Sequence, residues 1–300
     1  MRYIINGQQA FGKTVLEKML DRGDDVAAVF CAPDKGSRPD PLKEFALEKG
    51  LPLHQPASYK TDEARDLVAS YEPDLCVMAF VTLFVPEEVL YIPKHGTIQY
   101  HPSLLPLHRG PSSINWPIVQ GSTKTGLSIF WPDNGLDEGP ILLQKECEIT
   151  PDDTLGTIYF DKLFPMGVDA MIESIDLVKE GKAPRVDQDH SKSTYESWFK
   201  KELAEIDWSK PVAEVYNLIR GTNPAPGAWT TLGGKKIDVF DSAKVDGSTG
   251  DPGTVTEITD EGFVVAADGG QILIKRVRPE GEGKIAASEF KIDKGAKLGS

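Results

Sequence analysis

The sequence predicts an α/β fold with a mostly parallel sheet, followed by a small β-rich, barrel-like region. Three observations carry that prediction. In the first half of the chain, short runs of β-branched and apolar residues alternate with stretches of helical periodicity, a pattern that implies parallel strands joined by right-handed crossovers. Beyond Gly227 the pattern becomes short strand-like runs alternating with Gly/Asp turns, as a small barrel requires. The length of 300 residues suits two domains or one large one.

The elements follow in order. Residues 3–6 read as the first strand. Phe11, Val15, Leu16, Met19 and Leu20 recur at helical spacing over residues 11–22, and Gly23 ends that helix. Residues 25–30 give the second strand. The segment 41–50 starts with proline and closes with glycine, so it reads as a helix; a short apolar segment, 51–53, follows it. Residues 62–70 are predicted helical and 74–80 form a buried strand. Residues 96–100 are β-branched and aromatic and meet a proline at 102, which marks a strand. A helix at 111–120 ends at Gly121. A strand at 124–131, a turn-rich loop at 132–139 and a strand at 140–148 come next. Asp152 and Asp153, whose charge suits a helix start, open a long helix that ends near Gly181, with a kink expected at Pro165. The polar stretch 182–201 reads as a linker and 211–220 as an amphipathic helix. Strands are expected at 236–240, 253–258, 262–266 and 271–277, and a frayed tail at 295–300.

Composition excludes several classes of function. A net charge of −13 and a pI of about 4.9 argue against a broad nucleic-acid footprint, while leaving a local basic patch open. No apolar run has the length of a membrane span, so no membrane partner is expected. The N-terminal apolar run is too short for a signal peptide. Cys31, Cys76 and Cys147 show no paired spacing, and the first two lie in apolar runs; buried thiols in a reducing, cytoplasmic setting are expected. Gly7 and Gly12 do not form G-x-G-x-x-G. The sheet is therefore Rossmann-like without the dinucleotide fingerprint, and NAD is not assigned. His95, His101 and His108 lack zinc spacing, so no metal is expected. No phosphate loop appears, and Ser103 is not in a nucleophile elbow.

The stretch from His101 to Gly110 holds the chemistry. Alternation places Thr97, Gln99 and His101 on one strand face and Ile98 and Tyr100 on the other. His101 thus stands at the carboxyl end of a strand, where open α/β sheets bind ligands. A strand-end histidine bonded to a backbone group is the plainer account. Asp137 lies in a Gly-flanked loop where backbone can approach a ligand, although Asp133, Asn134 and Asp137 are also ordinary turn formers. A His/Asp pair with an amide nearby suits attack on a carbonyl. The imidazole can donate to an oxyanion or shuttle a proton, and the carboxylate can orient the ring or accept a proton from the nucleophile.

The run His101-Pro102-Ser103-Leu104-Leu105-Pro106 with Arg109-Gly110 and Trp116, then Gly135-Leu136-Asp137-Glu138-Gly139, resembles the signature of the 10-formyltetrahydrofolate-dependent formyltransferases. Residues 128–131, 142–148, 181–185 and 226–230 resemble most the amino-terminal hydrolase domain of 10-formyltetrahydrofolate dehydrogenase. The resemblance implies a Rossmann-like formyltransferase domain over 1–203 and an OB-like barrel over 204–300. It implies 10-formyltetrahydrofolate as formyl donor, with loss of formyl to water, a carrier thiol or an amine. By match of motif, His101 and Asp137 take the catalytic positions. Gln99 takes the place where the transferases usually carry asparagine, its amide on a side chain one methylene longer. The resemblance also implies a pterin cleft lined by Phe80, Leu83, Phe84 and Val85, by Ser103 and Leu104, and by Asp133 and Gly135. Two other acceptors stay open: an initiator tRNA, as in methionyl-tRNA formyltransferase, and a sugar amine. The acidic balance and the short loop 32–40 disfavour tRNA without removing it. If the chain is a fragment, carrier and aldehyde dehydrogenase domains are implied downstream.

Overall fold

Five parallel strands form the core of the first half in the computed structural model, which describes residues 1–34, 36, 38–247 and 250–299. Lys35 and Ser37 of the short loop, and Ser300 of the tail, lie outside the described residues. The strands are β1 (Arg2–Gly7), β2 (Asp25–Phe30), β3 (Leu53–His54), β4 (Leu75–Ala79) and β5 (Thr97–His101). With β6 (Lys124–Phe130) and β7 (Ile141–Glu148) they make a seven-stranded sheet of order β3-β2-β1-β4-β5-β6-β7. β6 runs antiparallel to β5. Every residue of β4 is buried, as a strand covered on both faces demands.

The helices are α1 (Gln9–Asp21), α2 (Pro41–Glu48), α3 (Asp62–Ala69), α4 (Glu87–Leu90) and α5 (Asn115–Val119). Asp40 and Thr61 cap α2 and α3 by accepting from the backbone N–H of Leu42 and Ala64. The helix expected over 111–120 shrinks to α5, because Ser112 holds a positive φ of 61° that no helix can include. α6 (Leu155–Thr157) leads through a π-helical segment, Ile158–Leu163, into α7 (Phe164–Lys179). The irregularity expected at Pro165 takes this form: Pro165 has no N–H for the Asp161 carbonyl, and the helix widens just before it.

The chain divides into two compact units. One comprises Met1–Gly110, Gly126–Glu146 and Leu163–Tyr195; the other comprises Pro111–Thr125, Cys147–Lys162 and Glu196–Ser300. In the second, α8 (Val212–Gly221) precedes β8 (Ala228–Leu232), β9 (Lys235–Val239), β10 (Ser242–Val245), β11 (Val255–Thr259), β12 (Gly262–Ala267), β13 (Gly270–Ile274), β14 (Arg276–Pro279) and β15 (Ile285–Ala286). They form two antiparallel four-stranded sheets, β10-β13-β12-β11 and β15-β14-β9-β8. Tyr216 and Ile219 of α8 share one core with Val239 and Val277 of one sheet and Phe263 and Ile274 of the other.

Two further segments differ from expectation. Of the stretch read as a linker, residues 182–195 belong to the first unit: Ile141 and Val186 exchange backbone hydrogen bonds of 2.8 and 3.0 Å, and Gln188 is buried. The tail is not frayed as far as Gly299. Leu298 joins the second core, and the Gly299 N–H donates to the Thr231 carbonyl at 2.9 Å. Both contacts are made to residues remote in sequence, so composition alone could not reveal them. Among the described residues no helix is long and apolar enough to cross a membrane.

On the helical side of β5, Tyr100 stacks on Phe11 with ring centroids 4.3 Å apart, and Phe164 meets Phe11 edge-on at 5.5 Å. Gly167 lets these rings close. A Cβ there would lie 2.6 Å from Tyr100 and 3.0 Å from Phe11. Gly167→Ala is therefore expected to destabilise the fold by about 1–3 kcal/mol, read as a lower urea midpoint at unchanged slope.

At the end of β3, the His54 ring packs on Phe30, and Nε2 lies 2.6 Å from the Tyr71 hydroxyl. Burial holds its pKa below the ordinary value of 6.5. The folded chain thus favours the neutral ring, and the unfolded chain binds a proton first as pH falls. The stabilisation is complete above about pH 6.5 and is lost as pH falls through the depressed folded value. Thermal midpoints measured between pH 7.5 and 5 should drop more steeply for the native chain than for His54→Gln.

Candidate active site

β5 delivers His101 to the carboxyl edge of the sheet, with Gln99 half-buried two residues behind it on the same face. The segment after it folds back under a hydrogen-bond lock. Ser128, which pairs with His101 in the β5–β6 register, is wholly buried. Its hydroxyl donates to the Ser103 carbonyl at 2.7 Å and accepts from the Leu105 N–H at 3.0 Å and the Gln144 amide at 2.9 Å. One donor and two acceptor sites are all used, which is what a buried hydroxyl requires. The Ser103 hydroxyl donates to the Leu107 carbonyl at 2.7 Å.

The returning chain brings the carbonyl of His108 to 2.8 Å from His101 Nε2. A carbonyl only accepts, so Nε2 carries a proton and, in the neutral ring, Nδ1 is bare. The plainer account of His101 therefore holds for one nitrogen, and the other remains for chemistry. Nδ1 faces Asp137, whose Oδ2 lies 3.6 Å away, and the two residues are 5% and 8% exposed. That separation exceeds a hydrogen bond, but catalytic contacts are often long before substrate binds.

Asp137 sits in the loop between β6 and β7 with a φ of +55°. The Gly110 N–H donates to its Oδ2 at 2.8 Å, tying this loop to the His101 segment. Gly139 permits the loop to close: a Cβ there would lie 1.8 Å from the Trp131 carbonyl oxygen. The Trp131 N–H donates to the Pro140 carbonyl at 2.9 Å across the same neck. Asp133 Oδ1 accepts from the Gly135 N–H at 2.9 Å, the local turn that such residues form.

The other positions named from sequence lie on these two loops and on the segment that follows β4. Phe80, with φ +65°, and Phe84 expose their rings at the carboxyl end of β4; Leu83 is half-buried, and Val85 packs into a core with Met78 and Val89. Leu104 lies against Gly126. Ser103 is fully buried with its hydroxyl committed to Leu107, so it acts through the shape of its loop. Among the described residues no group of three His, Cys, Asp or Glu side chains is arranged to hold a metal ion.

Three side chains at this site were not singled out for a role. The Arg109 guanidinium is 5% exposed; it donates to Gln188 Oε1, lies 3.3 Å from Glu138 Oε1 and 3.2 Å from His190 Nδ1. Gln188 in turn donates to the backbone of the Asp137 loop. Arg109 belongs to the conspicuous motif, but nothing local in sequence marks Gln188 or His190.

Comparison with known proteins fits this architecture. The profile of the family described as formyl transferase matches residues 1–175, and that of the formyl transferase C-terminal domain matches residues 199–294. The chain is 40% identical over 305 residues to cytosolic 10-formyltetrahydrofolate dehydrogenase of Xenopus tropicalis, covering 97% of this chain but 34% of that protein. It is 38% identical over 309 residues to methionyl-tRNA formyltransferase of Geotalea daltonii, covering 100% and 98%. Among solved structures, WlaRD, a sugar 3N-formyl transferase crystallised with dTDP and 5-N-formyl-THF, superposes with a TM-score of 0.72 at 18% identity, over 94% of this chain and 99% of that one. The fold is shared with such enzymes, and the chain belongs to the formyl transferase family.

Proposed function

We propose that this chain removes the formyl group from 10-formyltetrahydrofolate, by hydrolysis or by transfer to an acceptor. The observation that carries the reading is the convergence of a buried imidazole and a buried carboxylate from two loops at the carboxyl edge of the sheet, in a member of the formyl transferase family. In this reading the pterin lies against Phe80, Leu83, Phe84 and Val85, against the loop shaped by Ser103 and Leu104, and against Asp133 and Gly135. The scheme needs neither a metal ion nor NAD.

In this reading the residues act as follows. Water or another nucleophile attacks the formyl carbon while Asp137 takes its proton. The oxygen that becomes negative is met by the Gln99 amide and by His101 Nδ1 in its protonated form. The carbon–N10 bond then breaks, and N10 leaves with the Nδ1 proton. Asp137 returns its proton to the ring; with water as nucleophile the product is formic acid, which gives up its remaining proton to solvent as formate. Because Nε2 is held by the His108 carbonyl, this traffic passes through Nδ1 alone.

The formyl-transferring domain is taken as 1–203 and the barrel-like domain as 204–300. A cytoplasmic setting is proposed on the free, buried thiols of Cys31 and Cys76, which burial pushes up to about 11 and about 12. The chain spans 34% of the dehydrogenase it matches; carrier and aldehyde dehydrogenase domains would be its partners within such a protein.

The near full-length match to a methionyl-tRNA formyltransferase favours a second reading, with initiator tRNA as acceptor. The net charge of −13 weighs against it. Salt-sensitive retardation of initiator tRNA in a gel-shift assay would promote it over hydrolysis.

The first reading is tested by incubating the chain with 10-formyltetrahydrofolate and measuring formate and tetrahydrofolate, with thiol and amine acceptors added in parallel. His101→Ala and Asp137→Ala are each expected to lower the rate by about 10²–10⁴-fold. Undiminished turnover in both variants would remove the site from the reaction.

A further inference from the structure

We propose that Gln188 is a positioning residue for Asp137, held in its working orientation by Arg109; the inference rests on the formyl-removing reading of the site. Gln188 lies in the stretch whose polar composition resembles a linker, yet it is 6% exposed. Both protons of its amide are used. Nε2 donates to the Asp137 carbonyl at 2.9 Å and to the Gly139 carbonyl at 2.8 Å. These two carbonyls belong to the first and third peptide groups after the Asp137 Cα, so a single amide fixes the backbone on the C-terminal side of the carboxylate.

The amide has only one permitted orientation. Its Oε1 accepts from Arg109 Nη2 at 2.8 Å and Nε at 3.3 Å. A guanidinium only donates and a backbone carbonyl only accepts, so rotating the amide by half a turn would set donor against donor and acceptor against acceptor. Arg109 adjoins Gly110, whose N–H holds Asp137 Oδ2. The two loops are thus tied twice: directly at the carboxylate, and through Arg109 and Gln188 at the backbone behind it.

The need for a grip is visible in the turn itself. Asp137 holds a φ of +55°, in the left-handed region that is strained for a residue other than glycine. Released, the turn relaxes and swings the carboxylate. Its separation from His101 Nδ1 is already 3.6 Å, so little further drift would uncouple the pair.

The test uses Gln188→Leu and Gln188→Glu. The second keeps an acceptor for Arg109 and removes the paired donors, so it isolates the grip from the packing. Both should lower kcat by about 10²-fold, the scale of a misplacement near 1 Å, with KM for the folate little changed. Introduced into Asp137→Asn, they should cost almost nothing more, because a positioning residue has no effect once its target is gone. A substrate-independent reading is the Gly110 amide proton in an NMR spectrum: it should exchange faster and lose the shift of a carboxylate-bonded N–H in both variants. Equal losses in the native and Asp137→Asn backgrounds, or an unmoved Gly110 resonance, would overturn the inference. If the native chain releases no formyl group but the Gly110 resonance still responds to Gln188, the functional reading falls and the positioning role stands.

Discussion

The hydrogen bond between His101 Nε2 and the His108 carbonyl decides which ring nitrogen is left for chemistry. With Nε2 committed as a donor, only Nδ1 can accept or release a proton at the site. Any partner must therefore come from the Nδ1 side, and the loop between β6 and β7 supplies it as Asp137. The arrangement depends on a segment that leaves β5, turns at His108 with a φ of +54°, and returns to present a carbonyl to the ring it has just left. Without that return the ring could choose its tautomer freely.

Holding such a return in place is a problem of satisfying buried polar groups. The loop is too short for its own core, and a buried backbone group left unpaired costs about 1–3 kcal/mol. Ser128 and Gln144 of the adjacent strands meet the free carbonyls and N–H groups of the His101 segment. Gln188 does the same for the Asp137 turn. Both loops are thus braced by side chains from the scaffold, while the face of β5 opposite His101 is packed by aromatic rings. The parallel sheet contributes a rigid edge, and the polar side chains contribute the shape of what stands on it.

Arg109 is the costly part of this design. A guanidinium 5% exposed has lost nearly all its water, and its neighbours repay that only in part: one amide oxygen, one imidazole nitrogen and a half-exposed carboxylate. Such a group is easier to understand as a specifier of geometry than as a source of stability. Its planar fork fixes the Gln188 amide where a flexible ammonium would not.

Much of the fold was legible in the sequence because its signals are local. Alternating β and helical periods, a proline or glycine at the helix ends, and Gly/Asp turns after Gly227 report on neighbours a few residues away, and they locate the parallel sheet and the antiparallel region that follows. The strand-end position of His101 and the Gly-flanked loop of Asp137 are equally local, and family likeness names both. What the tertiary structure alone decided are contacts between remote residues. The polar stretch that resembles a linker is anchored by Gln188, and the apparent tail is anchored by Leu298. A buried amide reads in sequence just as an exposed one does; its burial follows from the carbonyls and guanidinium that surround it, and these are brought together only when the chain has folded.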